Sequence, residues 1–252
     1  MAAPIGIQLY TVREALNEDF VGTVTKIAEM GYVGVETAGF PGTTAADARK
    51  LFDDLGLQVL AAHTSFPRTD DKNKLFDEML ALGTKRMINA ALPRDKYATI
   101  DGIKEICEML NQANAEVKAH GMSFGVHNHW WEFELVQGKY PYHIWLDELD
   151  KDIFFEVDTY WAQTAGLDAA GVVIEMGNRA PLLHIKDGPA TQAGDMVAVG
   201  QGVMDIPGVI AAGDDNTEWL VVELDRCATD MLTAVSESYA YLVGEGLARG
   251  NK

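Results

Sequence analysis

Short runs of aliphatic and β-branched residues alternate with longer amphipathic stretches from one end of the chain to the other. The first run, IGIQL (5–9), predicts a strand, and the pattern over about 17–30, which includes FVGTVTKIAEM, predicts a helix that stops at Gly31. A glycine just past the last periodic residue supplies the left-handed turn that ends a helix. The alternation then repeats. YVGVE (32–36) precedes the helical TAADARKLFDDLG (44–56), and LQVLAAH (57–63) precedes a helix over 71–82. KRMINA (85–90) leads into the longest helical stretch, about 97–120, which closes in KAHG. MSFGVH (122–127) is a fifth strand, followed by a wide loop and a short helix. DIFFEVD (152–158) is the sixth strand, with a helix through GVVIEMG (171–177) behind it. PLLHIKD (181–187) is the seventh and opens a glycine-rich loop, DGPATQAGDMVAVGQGVMD (187–205). EWLVVELD (218–225) and TDMLTAVSESYAYLVGEGL (229–247) make the last pair.

Strands that alternate with helices imply a parallel sheet joined by right-handed crossovers. Eight such units in 252 residues, with no linker or low-complexity tract between them, predict an α/β fold. The expected architecture is a single (β/α)8 TIM barrel, one domain over residues 1–252. A doubly wound open sheet is the rival, but the first strand–helix turn lacks the G-x-G-x-x-G fingerprint of that class.

Active sites of such barrels lie at the C-terminal ends of the strands, so the polar residues that end each run matter most. These are Gln8 and Tyr10, Glu36, His63, Asn89, the cluster His127, Asn128 and His129 with Glu132 just beyond, Asp158, then His184, Lys186 and Asp187, and last Glu223 and Asp225. Ion pairs closing the barrel top account for any one of them, Glu36 and Asn89 especially. They account poorly for the whole set, because buried polar groups cost stability unless paired or bound to something. Asp158, His184 and Glu223 on three successive strands read as converging ligands. Carboxylates with an imidazole make an oxygen-rich site that suits one divalent cation, Mn2+, Mg2+, Co2+ or Zn2+, with positions open to substrate oxygens. Such an ion polarises a carbonyl, and a neighbouring carboxylate then moves a proton between carbons or oxygens.

The segments VHNHWWEF, FEVDTYW, LLHIKDG, VGQGVMD and VVELD, in that order, resemble the sugar phosphate isomerase/epimerase family of xylose isomerase-like barrels, and GIQLYTVR and AAHTSF are similar as well. The resemblance implies a divalent-metal site with carboxylates from strands five, six and eight and a histidine from strand seven. Asp158, His184 and Glu223 take the last three places. It also implies that the strand-five and strand-eight glutamates form the acid–base pair, and a reaction in which a proton moves through a metal-stabilised enediolate. Strand five departs from the family's pattern: where relatives carry a glutamate at the strand end, this chain has His127, and the nearest carboxylate is Glu132. Glu132 is the favoured fourth ligand and partner of Glu223 in catalysis; His127 is the named rival. His63, His127, His129 and Lys186 are then expected to contact sugar hydroxyls, and Trp161 to offer an apolar face. For His63 the competing reading is a histidine satisfied by its neighbours, for Trp161 core packing, and for Lys186 a pair with a phosphate of the substrate or with Asp187.

Charge narrows the alternatives. A formal net charge of −18 leaves no basic footprint for nucleic acid or an anionic membrane surface. That argues against the endonuclease IV type of related barrel, which also needs more histidine ligands than this chain offers. No apolar run approaches the length of a membrane helix, and MAAPIGIQLY does not read as a secretory signal; the expected home is the cytoplasm. Cys107 and Cys227 lie outside any ligand spacing. The expected partner is a small sugar or sugar derivative of carbohydrate metabolism, and self-association into a homo-oligomer is left open. An isomerase or epimerase is the leading expectation. A lyase or dehydratase acting on a keto-sugar or keto-inositol, similar to inosose dehydratases, shares its first step, and a non-catalytic sugar-binding protein is the reading from another class.

Overall fold

Successive strand residues point to opposite faces of a sheet, so every second residue of each run above is directed to the same side. The computed structural model describes residues 2–67 and 72–252. Eight parallel strands close into a barrel in chain order: β1 (Ile5–Gln8), β2 (Gly34–Thr37), β3 (Gln58–His63), β4 (Arg86–Asn89), β5 (Ser123–His127), β6 (Phe154–Asp158), β7 (Leu182–Ile185) and β8 (Trp219–Val222). The last strand returns to the first with Ile5 opposite Leu220. The covering helices are α1 (Arg13–Glu18), α2 (Phe20–Met30), α3 (Ala45–Asp54), α4 (Lys72–Leu82), α5 (Ile100–Ala119), α6 (Pro141–Glu148), α7 (Thr159–Thr164), α8 (Ala169–Met176), α9 (Ile206–Gly213) and α10 (Met231–Gly244).

All eight predicted strands are present. Two helices differ from their sequence expectation, and in both the cause is a cap. The helix expected over 17–30 is broken at Asp19, whose backbone is extended and whose carboxylate accepts from the Gly22 N–H at 2.9 Å. An acid in that position starts a new helix more readily than it continues an old one. The stretch expected over 97–120 begins its α-helix only at Ile100, because Thr99 caps it by accepting from Gly102 N–H at 3.0 Å; residues Arg94–Ala98 form a separate 3-10 turn. Residue 71 of the expected fourth helix lies outside the described residues. His120 ends α5 and stacks on Phe76, with ring centroids 3.7 Å apart. Cys107 is buried and Cys227 only half-buried.

The main core fills the layer between strands and helices. A second, smaller apolar cluster of Leu60, Ala61, Ile88, Leu182, Trp219 and Val221, with Phe154 against it, plugs the barrel itself. Gly125 makes room for that plug: a Cβ there would lie 2.3 Å from the Phe154 ring. Two residues further along the same strands the inner face turns polar. Gly125 is followed by His127, Phe154 by Glu156 and Asp158, Leu182 by His184, and Val221 by Glu223. An apolar floor thus carries a polar layer at the C-terminal end, and the strand period alone stacks one on the other.

Candidate metal and active site

The polar layer divides into two groups of ligating atoms that share two imidazoles. One contains His127, Asp158, His184 and Glu223, the other His63, His127, Glu156 and His184, and within each group the ligating atoms lie no more than 4.8 Å apart. In the first, His184 Nδ1 lies 2.7 Å from Glu223 Oε2 and His127 Nε2 lies 3.8 Å from Asp158 Oδ2. In the second, the opposite ring nitrogens are used. His127 Nδ1 is 3.2 Å from Glu156 Oε2, and His184 Nε2 is 2.8 Å from Glu36 Oε2 and 3.1 Å from Glu156 Oε1. His63 Nε2 reaches Glu156 Oε2 at 2.6 Å, and Gln8 Nε2 donates to Glu36 Oε2 at 2.7 Å.

A neutral imidazole has one nitrogen that carries a proton and one that offers a lone pair. Burial opposes a charge on His184, but Glu156 and Glu223 outweigh it and hold its pKa well above the ordinary value, so Nε2 carries a proton toward Glu36 and Nδ1 one toward Glu223. A cation in the first group would take the place of the Nδ1 proton of His184, and His127 Nε2 faces Asp158 on the same side. Both imidazoles are directed toward that first group by buried carboxylates behind them, the arrangement usual for histidine ligands.

Lys186 stands beside the same oxygens. Its Nζ lies 2.7 Å from Asp158 Oδ2, 2.7 Å from Glu223 Oε2 and 2.8 Å from Asp225 Oδ2, and the side chain is buried. Burial opposes its charge, but the three carboxylates outweigh burial and hold its pKa well above the ordinary lysine value. Glu36 is pushed up to about 7, first by burial and then by the charge of Glu156. His129, whose ring is partly exposed, is pushed down to about 2 by burial and then by His127 and Lys186, so it is neutral near pH 7.

Asn128 pins the neighbouring strand. Its Oδ1 accepts from Asp158 N–H at 2.9 Å and its Nδ2 donates to Asp158 C=O at 3.1 Å, which fixes the backbone that presents the Asp158 carboxylate. That carboxylate also caps α7 by accepting from Trp161 N–H at 3.0 Å.

Glu132, expected as the fourth ligand, sits elsewhere. It belongs to neither ligand group; its Oε2 accepts from the His129 N–H at 2.8 Å across the short 3-10 turn Trp131–Phe133. A glutamate three residues into a turn reaches back to the amide that opens it, as in a capping box. The structure brings His127, rather than Glu132, into the group with Asp158, His184 and Glu223. Of the residues expected at substrate, His63 lies among Glu36 and Glu156, and His129 is stacked on Trp131 with centroids 4.1 Å apart. Trp161 is only 4% exposed and packs in the core against Trp130; Trp130 and Trp131 are the half-buried tryptophans of this end. Lys186 pairs with Asp225, not with Asp187. Glu156 escaped the sequence reading, although its spacing of two from Asp158 on one strand was a usable signal. A cavity of about 720 Å³ between the loops after β2 and β3 has Thr37, Phe40, His63 and Thr64 in its wall.

A family model described as xylose isomerase-like TIM barrel matches residues 24–242. No curated protein matches. Among solved structures, a sugar phosphate isomerase/epimerase from Parabacteroides distasonis is 25% identical, with a TM-score of 0.83, over 99% of this chain and 96% of the other. The probable 3-DHS dehydratase AsbF, involved in petrobactin synthesis, from Bacillus anthracis is 12% identical with a TM-score of 0.75, over 95% and 98% of the two chains. The IOLI protein with a bound zinc atom is 15% identical with a TM-score of 0.72, over 97% and 99%. The last two similarities speak for the fold alone. Among the described residues no helix is long and apolar enough to cross a membrane.

Proposed function

The chain belongs to the xylose isomerase-like TIM barrel family, and from that premise we propose that it is a divalent-metal-dependent isomerase or epimerase of a sugar or sugar derivative. One observation carries the reading: four ligating atoms from β5 to β8 converge within 4.8 Å of one another at the C-terminal end of the barrel. The donor set fits a cation. With a cation bound, His127 Nε2 and His184 Nδ1 would supply lone pairs, the latter by giving up the proton it shares with Glu223, while Asp158 and Glu223 would supply charge and Glu36 and Glu156 stand behind the imidazoles. A divalent ion held there would polarise a substrate carbonyl and offset negative charge on the oxygens beside it.

The protein's own groups do the rest. Glu223 is the proposed base: a carboxylate oxygen takes the proton from the carbon next to the carbonyl and, in an isomerisation, gives it back to the neighbouring carbon. Lys186, bonded to the same carboxylate, holds Glu223 in place and keeps it ionised. Neutral His129 and the rings of Trp130 and Trp131 form the wall against which a sugar's hydroxyls and C–H face would lie. Glu132 is assigned to positioning: it holds the turn that carries His129. The second acid–base group implied by the resemblance is thus left to a residue other than Glu132, and Lys186, 2.7 Å from Glu223 Oε2, is the group proposed for it.

That adjacency also favours a second reading. A base and an acid on the same side of one site suit elimination, in which Lys186 protonates a departing oxygen after Glu223 has removed the neighbouring proton. A lyase or dehydratase on a keto-sugar or keto-inositol therefore shares the site. Incubation with a panel of ketoses, aldoses and keto-inositols in D2O, with Mn2+ and with a chelator, separates the outcomes by NMR. Deuterium at the carbon next to the carbonyl with a rearranged sugar supports isomerisation or epimerisation, and loss of water supports the second reading. Metal-independent turnover, or no deuterium entry into any sugar by protein with metal bound, counts against both.

A further inference from the structure

We propose that Asp225 is a positioning residue for the metal centre: it draws the Lys186 ammonium off Asp158 when a cation binds. The inference rests on the metal-dependent reading above and deepens it, since it makes cation binding and a shift of a buried lysine one event.

The three carboxylate partners of Lys186 are not alike. Its Nζ lies 2.7 Å from Asp158 Oδ2 and 2.7 Å from Glu223 Oε2, both in the ligand group with His127 and His184. The third partner, Asp225 Oδ2 at 2.8 Å, belongs to neither ligand group. Asp158 has no spare oxygen for a cation, because its Oδ1 caps α7 by accepting from Trp161 N–H at 3.0 Å. Glu223 has a second oxygen, Oε1, and can serve a cation and Lys186 at once. The conflict therefore falls on Asp158 Oδ2. A divalent cation and an ammonium on the same oxygen repel each other strongly at that range. A buried ammonium left without carboxylates is strongly destabilising in its turn, so Lys186 has to keep an anionic partner outside the ligand group.

Asp225 is held ready for that part. It follows Glu223 by two residues, and its backbone is fixed on both sides. Its N–H donates to Met196 Sδ at 3.3 Å, and its C=O accepts from Arg13 Nη2 at 2.8 Å. Leu224 before it is buried and donates its N–H to Thr11 Oγ1 at 3.1 Å. None of these anchors involves Asp158 or Glu223, so the acceptor stays in place when those two take up a cation. Space lies on the same side. The Asp225 side chain is 29% exposed where those of Asp158 and Glu223 are 0% and 6%. With Arg13, Glu14 and Arg226 it lines a cavity of about 550 Å³. The unbranched stem of a lysine lets Nζ move toward that side by rotation alone.

The test measures Mn2+ affinity by chelator competition in a double-mutant cycle, with no sugar present. Asp225→Asn should weaken Mn2+ binding about tenfold or more, and Asp225→Glu, which keeps the charge, should retain most of the wild-type affinity. Loss of a negative charge near the ion weakens binding in any background. The positioning role predicts more: a loss at least about fivefold larger in wild type than in Lys186→Met, the coupling expected of residues in direct contact. A crystal structure of the wild-type chain with Mn2+ is the second measurement and does not depend on how the variants fold. Lys186 Nζ is expected within hydrogen-bond distance of Asp225 and beyond it from Asp158 Oδ2. Equal losses in the two backgrounds, or an ammonium still bonded to Asp158 Oδ2 beside the ion, overturns the proposal and leaves the metal site standing. A wild-type chain that binds no Mn2+ sinks the metal-dependent reading itself, and this proposal with it.

Discussion

Replacing Glu132 by glutamine separates a ligand from a turn-holder, and the two roles predict opposite results. The carboxyl group is buried, and burial pushes its pKa from the ordinary 4.5 up to about 7 against the hydrogen bond from His129 N–H. A carboxyl whose folded pKa is raised binds its proton more tightly in the folded state. It therefore contributes most below the unfolded pKa, and that contribution is lost as pH rises through about 7. The shift from 4.5 to about 7, at about 1.4 kcal/mol per unit, corresponds to roughly 3 kcal/mol. Glu132→Gln keeps an uncharged acceptor for the amide at every pH. Its unfolding free energy relative to wild type is expected to rise between pH 5 and pH 8 by about 3 kcal/mol, measured by urea denaturation of metal-free protein. The same variant should bind Mn2+ within about twofold of wild type, whereas His127→Gln should lose about a hundredfold or more, beyond the cost of removing an outer hydrogen-bond partner. A pH-independent stability difference, or an Mn2+ affinity that collapses in Glu132→Gln while His127→Gln retains it, refutes the assignment of these two residues.

Three further outcomes follow from the same geometry. Glu156→Gln removes the charge beside His127, His184 and His63, and should weaken Mn2+ binding about 10- to 100-fold with the circular dichroism spectrum unchanged; unaltered affinity in a chelator competition would show that the imidazoles need no carboxylate behind them. Lys186→Met takes a cation away from oxygens of Asp158 and Glu223, so Mn2+ should bind about tenfold tighter or more, since like charges about 4 Å apart repel by a few kcal/mol at an effective dielectric near 20, while turnover falls. A weaker or equal affinity would mean that the lysine does not compete for those oxygens. Gly125→Ala drives a methyl into the Phe154 ring and should cost about 1–3 kcal/mol of stability; a urea midpoint equal to that of wild type would mean the plug under the polar layer is looser than described.

How far the sequence could be read depended on what a residue's position requires of it. The strands were legible because their period is two and their ends carry glycines and acids, and this alone put Asp158, His184 and Glu223 on one rim. Glu156 was not, because an acid in the middle of FFEVD is framed by apolar residues and looks like part of a strand. Only the closed barrel shows that its side chain meets three imidazoles from β3, β5 and β7. Glu132 falls outside the ligand groups for a different reason. Its distance along the chain from His127 is compatible with folding back into the site, and no pattern reports which way a three-residue turn faces. Asp19 and Thr99 moved helix boundaries by capping, a local effect that periodicity averages away. Trp161, in the first turn of α7, is buried against Trp130 with Lys186 Nζ 5.4 Å from its ring centroid, so it lies beside the site without being exposed at the mouth.

The stretch His127–Glu132 divides its labour residue by residue, and the division bears on which ion the site prefers. His127 faces inward as a donor, Asn128 clamps the Asp158 backbone, His129 faces the mouth, and Glu132 holds the turn. With an imidazole at 127 in place of the carboxylate that the resemblance leads one to expect, the set holds two nitrogens and two carboxylates. It is one negative charge poorer, and Lys186 withdraws more by sharing oxygens of Asp158 and Glu223. Mg2+ relies on hard oxygen ligands and keeps much of its water, whereas imidazole raises affinity for Mn2+, Co2+ and Zn2+. The site should therefore rank Zn2+ and Co2+ above Mn2+, and all three well above Mg2+, in competition against a calibrated chelator. His127→Glu restores a carboxylate and should narrow the gap between Mn2+ and Mg2+. A wild-type chain that binds Mg2+ as tightly as Mn2+ would show that His127 is not among the ligands, whatever its distance from Asp158.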